Sequence, residues 1–239
     1  NLHGDTIVAP ATPPGVSAIG LVRLSGPLAL SVLMRLSGKT SFRSGRLVRS
    51  QLRGSGGLID EALVVFFRAP RSYTGEDVVE FHCHGNPSLL SRLLGECLRA
   101  GARLAEPGEF TLRAFLNGRL DLVQAEAVGD LVHSLGSRAR QKALAALIDN
   151  SLGREIFSVR EEILKILTGV EASIDFTEED VPLFDREETG LILAKIGDRI
   201  DFLLSNEQAS RLIRHGVKII LCGPANVGKS SLLNRLIGT

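Results

Sequence analysis

The sequence predicts an α+β domain, then an all-α domain, then the opening of an α/β domain, and three observations carry that reading. Strand and helix signals mix up to about Gly118. From Leu120 to about Arg214 strand signals almost vanish, while apolar residues recur at three- and four-residue spacing. Close to residue 239 a strand-like run leads into Gly223-Pro224-Ala225-Asn226-Val227-Gly228-Lys229-Ser230, a full match to G-x-x-x-x-G-K-[ST]. The predicted boundaries are 1–118, 119–215 and 216–239.

In the first part, residues 6–9, 18–24, 62–67 and 77–84 are rich in β-branched and apolar residues and read as strands. Residues 28–36 and 87–100 carry helical spacing, and Asn86 followed by Pro87 is a good helix start. In the second part, Leu122, Ala125, Val128, Gly129 and Val132 form one apolar stripe. Ile156, Val159, Ile163, Ile166, Leu167 and Val170 form another. These helices are expected to bundle, and covering all their apolar faces would take chain from beyond residue 239. In the third part, 217–222 reads as a buried strand and 231–237 as a helix with one apolar face.

The glycine loop between that strand and helix has a defined chemistry. Gly223 and Gly228 can take backbone angles closed to other residues and aim successive N–H groups at phosphate oxygens. Lys229 adds a point charge near the outer phosphates, Ser230 offers a hydroxyl to a magnesium ion, and the helix turns its positive end toward the same anion. Asn226, Val227, Gly228, Lys229, Ser230 and Ser231 are therefore the nucleotide-contacting candidates. A GTPase also needs an Asp-x-x-Gly segment for metal and γ-phosphate and an Asn-Lys-x-Asp segment for guanine, and neither occurs in these residues. The reading is a truncated GTPase, holding the first strand, the loop and part of one helix of its nucleotide domain. Alone it is expected not to hydrolyse nucleotide.

Composition is that of a soluble globular protein: 44% hydrophobic, 23% charged and a formal net charge of +1, which advertises no nucleic-acid surface. No run of about 18 apolar residues is present, and the first residues lack the order of a secretion signal, so a cytoplasmic location without membrane insertion is expected. Cys83, Cys97 and Cys222 are an odd number at unrelated spacings, which argues for reduced thiols. With no Trp and a single Tyr, Tyr73, the chain lacks a base-stacking platform.

Ordered stretches then carry a resemblance. Asp5 to Ala9 with Ala11-Thr12-Pro13-Pro14-Gly15, Leu21 to Gly26, Ser72-Tyr73-Thr74-Gly75-Glu76-Asp77 and Glu80 to Gly85 are four of them. Glu106-Pro107-Gly108-Glu109-Phe110-Thr111, and Leu116 to Leu122 with Gln124 to Ala127, continue the series. Together they resemble the tRNA-modifying GTPases called MnmE or TrmE, over the whole chain. The resemblance implies an N-terminal domain that forms a homodimer and binds a tetrahydrofolate derivative, formyl or methylene, with a GTPase domain inserted in a helical one. It implies tRNA as substrate and the flavoprotein MnmG, or GidA, as partner, together modifying C5 of the wobble uridine with a one-carbon unit from folate. It also implies GTP hydrolysis between two nucleotide domains that meet around a potassium ion, for which Asn226 stands at the ligating position.

Three residues match the family's folate-contacting positions: Arg23, Glu80 and Arg119. A carboxylate such as Glu80 can accept two parallel N–H groups from the pterin edge, while the arginines suit carbonyl or glutamate-tail oxygens. Relatives usually carry Lys where Arg119 stands, which keeps the charge and changes the fork geometry. Relatives also show Gly-Arg-Pro-Asn where this chain has Gly223-Pro224-Ala225-Asn226. Pro224 removes one N–H from the loop, and nucleotide binding is still expected through Gly228-Lys229-Ser230.

Other constellations point to the blander reading. His82 and His84 fall on one face of a strand, but no further Cys or His cluster supplies the remaining ligands of a structural zinc. Asp175, Glu178, Glu179 and Asp180 read as a solvated helix end. No thiol has a base at readable spacing, and no catalytic residue is assigned. A second function class stays open: a non-catalytic dimerisation module that positions a regulatory GTPase, with Arg23, Glu80 and Arg119 as interface charges. A third, a ribosome-assembly GTPase, would call for a basic surface, which 28 Lys plus Arg against 27 Asp plus Glu do not favour.

Overall fold

Alternating side chains in the first part build one six-stranded sheet, in the order β3-β4-β5-β2-β1-β6. The strands are β1 (Ile7–Pro10), β2 (Ser17–Ser25), β3 (Val48–Gly54), β4 (Gly57–Phe67), β5 (Val78–Gly85) and β6 (Arg103–Leu104). All neighbours are antiparallel except β1 and β6. The computed structural model describes residues 4–134, 136–175, 185–205, 220–224 and 227–238.

The period of two places Val22, Leu24, Val64, Phe66, Val79, Phe81 and Cys83 in one buried cluster. Helices α1 (Ala29–Ser37) and α2 (Pro87–Arg99) add Val32, Leu33, Leu36, Leu93 and Cys97 to it. Each fully buried Leu or Phe stabilises the fold by about 2 kcal/mol, so this cluster dominates the energetics of the domain. Helix α2 begins as its sequence predicts: Asn86 Oδ1 accepts from the N–H groups of Ser88 at 2.9 Å and Leu89 at 3.3 Å, with Pro87 in the first helical position.

The opposite sheet face is more open. Register sets Ala9, Arg23, Glu80 and Val65 side by side across four strands, and Leu21, His82 and Leu63 in the next row. A short helix, α3 (Glu109–Leu116), follows β6 and was not foreseen as an element, nor were β3 and β6.

The helical part contains α4 (Leu122–His133), α5 (Ser137–Ile148), α6 (Ser151–Asp175) and α7 (Arg186–Ser205). Asp121 and Gln124 start α4 with a capping box: the Gln124 N–H donates to Asp121 Oδ1 at 2.8 Å, and the Asp121 N–H donates to Gln124 Oε1 at 3.1 Å. Asn150 Nδ2 donates to the second Asp121 oxygen, and Gln124 Nε2 donates to the Leu147 carbonyl, which ties the start of α4 to the turn after α5. The predicted stripe on α4 needs correction, because Leu122 and Val132 are exposed and the buried residue is Ala127. Helix α4 packs against α3. Of the second stripe Val159 is buried, whereas Ile156, Ile163 and Leu167 are exposed. Arg199 of α7 reaches Glu162 of α6 at 2.7 Å.

The chain divides into two compact units, Asn1–His133 with Lys142–Ile156, and Ser134–Gln141 with Phe157–Thr239. In the second, α8 (Lys229–Ile237) follows the glycine loop as the motif predicts. Residues 217–219 of the expected strand lie outside the described residues, and Ile220, Leu221 and Cys222 are not strand, with Ile220 exposed. A strand of this kind is buried between parallel neighbours that take up its N–H and C=O groups, and no such neighbour occurs among the described residues.

Candidate functional site

Arg23 on β2 and Glu80 on β5 are direct cross-strand partners. Arg23 Nε donates to Glu80 Oε1 at 2.8 Å, and Nη2 lies 2.8 Å from the same oxygen. The pair is partly buried, with side-chain exposures of 25% and 16%, so it is screened less than a surface bridge. The second Glu80 oxygen, Oε2, lies 3.5 Å from His82 Nε2. Glu80 is thus engaged by Arg23 from one side, and receiving two N–H groups from a ring edge would require Arg23 to share its oxygen.

Arg119 is exposed and stands before α4, where its Nε donates to the Ser72 carbonyl at 3.1 Å. Ser72 precedes Tyr73, whose ring centroid is 5.3 Å from the Arg23 guanidinium carbon. The 72–77 turn therefore bridges the three predicted residues: Arg23 and Glu80 meet directly, and Arg119 joins through Ser72.

A second cluster fixes that turn, and sequence reasoning missed it. Arg113 on α3 is fully buried. Its Nη2 donates to Asp5 Oδ1 at 2.6 Å and to Glu109 Oε1 at 3.0 Å, while Nη1 donates to the Asp5 carbonyl at 2.9 Å and to both Glu76 oxygens at 3.2 Å. Arg103 adds a fork onto Glu109, with contacts of 2.6 and 2.8 Å, and bonds the other Asp5 oxygen. Ser25 Oγ donates to Glu76 Oε2 at 2.7 Å and meets Thr74 Oγ1 at 2.6 Å. Arg103 above all holds the Glu109 carboxyl down at about 2, despite burial. It likewise holds Asp5 below the usual carboxylate range. Of this cluster only the Glu109–Arg113 pair, four residues apart on one helix, has a local signature.

The histidines of β5 take separate partners. His84 Nδ1 lies 2.7 Å from Asp60 Oδ1, and the His84 N–H donates to Asp60 Oδ2 at 2.8 Å. Cys83, between them, points into the core, where burial pushes its thiol up to about 12; Cys97 is raised to about 12 by the same cause. Cys222 is an exposed thiol. No grouping of three metal-ligating side chains occurs among the described residues.

In the glycine loop, Gly228 precedes α8 with φ 87°, a left-handed angle that suits glycine. Lys229 Nζ donates to the carbonyls of Gly223 at 3.0 Å and Pro224 at 2.6 Å. The ammonium thus lies across the loop, where a bound phosphate could compete with those carbonyls for it. Val227 is exposed, and Ser230 and Ser231 occupy the first turn of α8, with the orphan N–H groups of a helix start. Asn226 lies outside the described residues, as do Glu178, Glu179 and Asp180.

Two family models match in tandem and between them cover nearly the whole chain: GTP-binding protein TrmE N-terminus at residues 6–119, and MnmE helical domain at residues 122–233. The chain belongs to the MnmE (TrmE) family. Proteins named tRNA modification GTPase MnmE are its relatives in Synechococcus sp., at 48% identity over 97% of this chain and 51% of the relative. The Aquifex aeolicus MnmE is 45% identical over 98% of this chain and 52% of its own length, and that of Legionella pneumophila 41% identical over 98% and 52%. The chain spans about half the length of these MnmE relatives. The mixed sheet-and-helix domain followed by helices is the arrangement the two MnmE models describe. No described helix is long and apolar enough to cross a membrane.

Proposed function

We propose that this chain is the folate-binding, dimerising and helical portion of a GTPase that modifies tRNA. In this reading residues 1–118 hold a tetrahydrofolate derivative and a second copy of the chain, 119–215 belong to the helical domain, and 216–239 open the GTPase domain. Acting in the cytoplasm with a flavin-dependent partner, MnmG, the complete protein modifies C5 of the wobble uridine. The folate supplies a one-carbon unit, formyl or methylene. The residues named here bind and orient it: Glu80 toward the pterin edge, Arg23 and Arg119 toward its oxygens.

The observation that carries this reading is the Arg23–Glu80 pair on the sheet face away from the main core, with Arg119 tied to the same turn through Ser72. Arg23 uses its Nε and Nη2 on Glu80, so Nη1 is the group left for a ligand oxygen. Exposed Ile19 and Leu63 on β2 and β4 supply apolar surface for the second copy. At the other end, Lys229 and Ser230 suit GTP with magnesium, and Asn226 a potassium ion. GTP with its metals supplies the phosphoryl chemistry, for which this chain contributes Val227, Gly228, Lys229, Ser230 and Ser231 as binding groups.

One observation favours the alternative, a dimerisation module whose charges serve the interface: Glu80 already has an internal partner at 2.8 Å. Titrating the chain with 5-formyltetrahydrofolate separates the two. Saturable binding that is lost in Glu80→Ala supports the folate site, and no uptake by the unaltered chain supports the module.

A further inference from the structure

Two aromatic rings, those of Tyr73 and Phe110, flank the Arg23 guanidinium. The guanidinium carbon lies 5.3 Å from the Tyr73 centroid and 5.7 Å from that of Phe110. Both distances fall inside the range of cation–π attraction. The rings come from segments far apart in the chain, one in the 72–77 turn and one in α3, and both are half-buried.

Several bonds join these segments. The Tyr73 hydroxyl meets Thr111 Oγ1 at 2.8 Å. Buried Arg113 donates to Glu76 on one segment and Glu109 on the other, and Glu109 directly precedes Phe110. The ring positions therefore depend on the ionic cluster that joins the two segments. Arg23 itself has a long flexible stem, and an arginine at a partly exposed site would otherwise sample many rotamers.

We propose that Tyr73 and Phe110 are positioning residues for Arg23. Their ring faces hold the guanidinium, Glu80 holds its Nε–Nη2 edge, and Nη1 is thereby aimed before any ligand arrives. Pre-ordering of this kind strengthens binding because the side chain loses little further freedom when a carbonyl or carboxylate oxygen docks. The inference deepens the folate reading and rests on it for the identity of that ligand.

The test is a double-mutant cycle on the 239-residue chain. Binding of 5-formyltetrahydrofolate is measured by calorimetry for the unaltered chain, Phe110→Leu, Tyr73→Leu, Arg23→Ala and the two doubles with Arg23→Ala. Phe110→Leu and Tyr73→Leu should each weaken binding about five- to tenfold alone and less than about twofold when Arg23 is already Ala. Equal losses in both backgrounds, or none, overturn the proposal. A ligand-free readout accompanies it: the Arg23 Nε–H proton resonance, identified by its absence from Arg23→Lys, should be shifted upfield by the rings and move downfield in Phe110→Leu. A resonance that stays put overturns the proposal whether or not folate binds. A resonance that moves in a chain that takes up no folate upholds the clamp, and only the folate reading falls.

Discussion

Glu109 and Arg113, one turn apart on α3, are both buried and meet at 3.0 Å, and the same guanidinium also serves Asp5 and Glu76. A single cation thus fixes the residue leading into the first strand, the 72–77 turn and α3 to one another. Replacing it by Met removes the compensating charge and leaves carboxylates in a dry site. Arg113→Met is expected to destabilise the chain by about 3–5 kcal/mol, with Arg113→Lys between it and the parent, in urea unfolding followed by circular dichroism.

The same cluster, together with the separate Glu96–Arg99–Ser55 group of α2, sets an acid limit. The Glu109 pKa falls from 4.5 to about 2, mainly through the hydrogen bond from Arg103, and Glu96 falls to about 2, mainly through Arg99 and then Ser55. A depressed folded-state pKa gives stability that is fully present above the unfolded value and is lost as pH falls through the folded one. Unfolding free energy should therefore stay level above about pH 5 and decline from about pH 4.5 to pH 2. Glu109→Gln should flatten part of that decline, and an unchanged slope would contradict the assignment.

Much of the architecture was legible, and the exceptions have physical causes. β2, β4 and β5 are apolar enough to announce themselves, and Asn86-Pro87 marks α2 because the cap is a local bond. β3 is an edge strand whose exposed positions carry Arg49, Gln51 and Arg53, so its apolar signal is thin. α3 is short and opens on Gly108, which looks like a turn. Arg23 and Glu80 were singled out as site residues and turn out to be cross-strand neighbours. Tyr73 and Phe110 stand in the resembling stretches but were not read as neighbours of Arg23, and Arg113 was not singled out, because their partners lie up to 108 residues away and no spacing rule reaches that far.

Arg119 offers a test of charge against geometry. Its Nε binds the Ser72 carbonyl, a single contact that an ammonium can imitate. On the folate reading proposed above, Arg119→Lys should hold folate affinity within about threefold, whereas Arg119→Glu, which sets a like charge against the anionic glutamate tail, should weaken it about three- to tenfold. Calorimetric titration of both variants checks this.

Lys229 rests on the loop carbonyls of Gly223 and Pro224. In the complete protein, Lys229→Ala should reduce binding of a fluorescent GTP analogue at least about tenfold, since a phosphate loses its point charge. Unaltered titration curves would show that the loop backbone suffices.

Gly26 links β2 to α1 with φ 128°, and a Cβ there would lie 2.6 Å from the Asp5 carbonyl oxygen and 2.8 Å from Thr6 Cα. Both neighbours are backbone and cannot step aside. Gly26→Ala should cost about 2 kcal/mol or more, seen as a lower thermal midpoint in calorimetry.

The unequal setting of the three cysteines has a practical outcome. Two are sealed in the core with their ionisation pushed far above neutrality, while the third, beside Gly223, is open to solvent. A maleimide at neutral pH should therefore decorate the native chain at Cys222 alone, and full denaturation should reveal the other two. One spin label or dye, installed without mutagenesis, would then report on the phosphate loop as nucleotide is added.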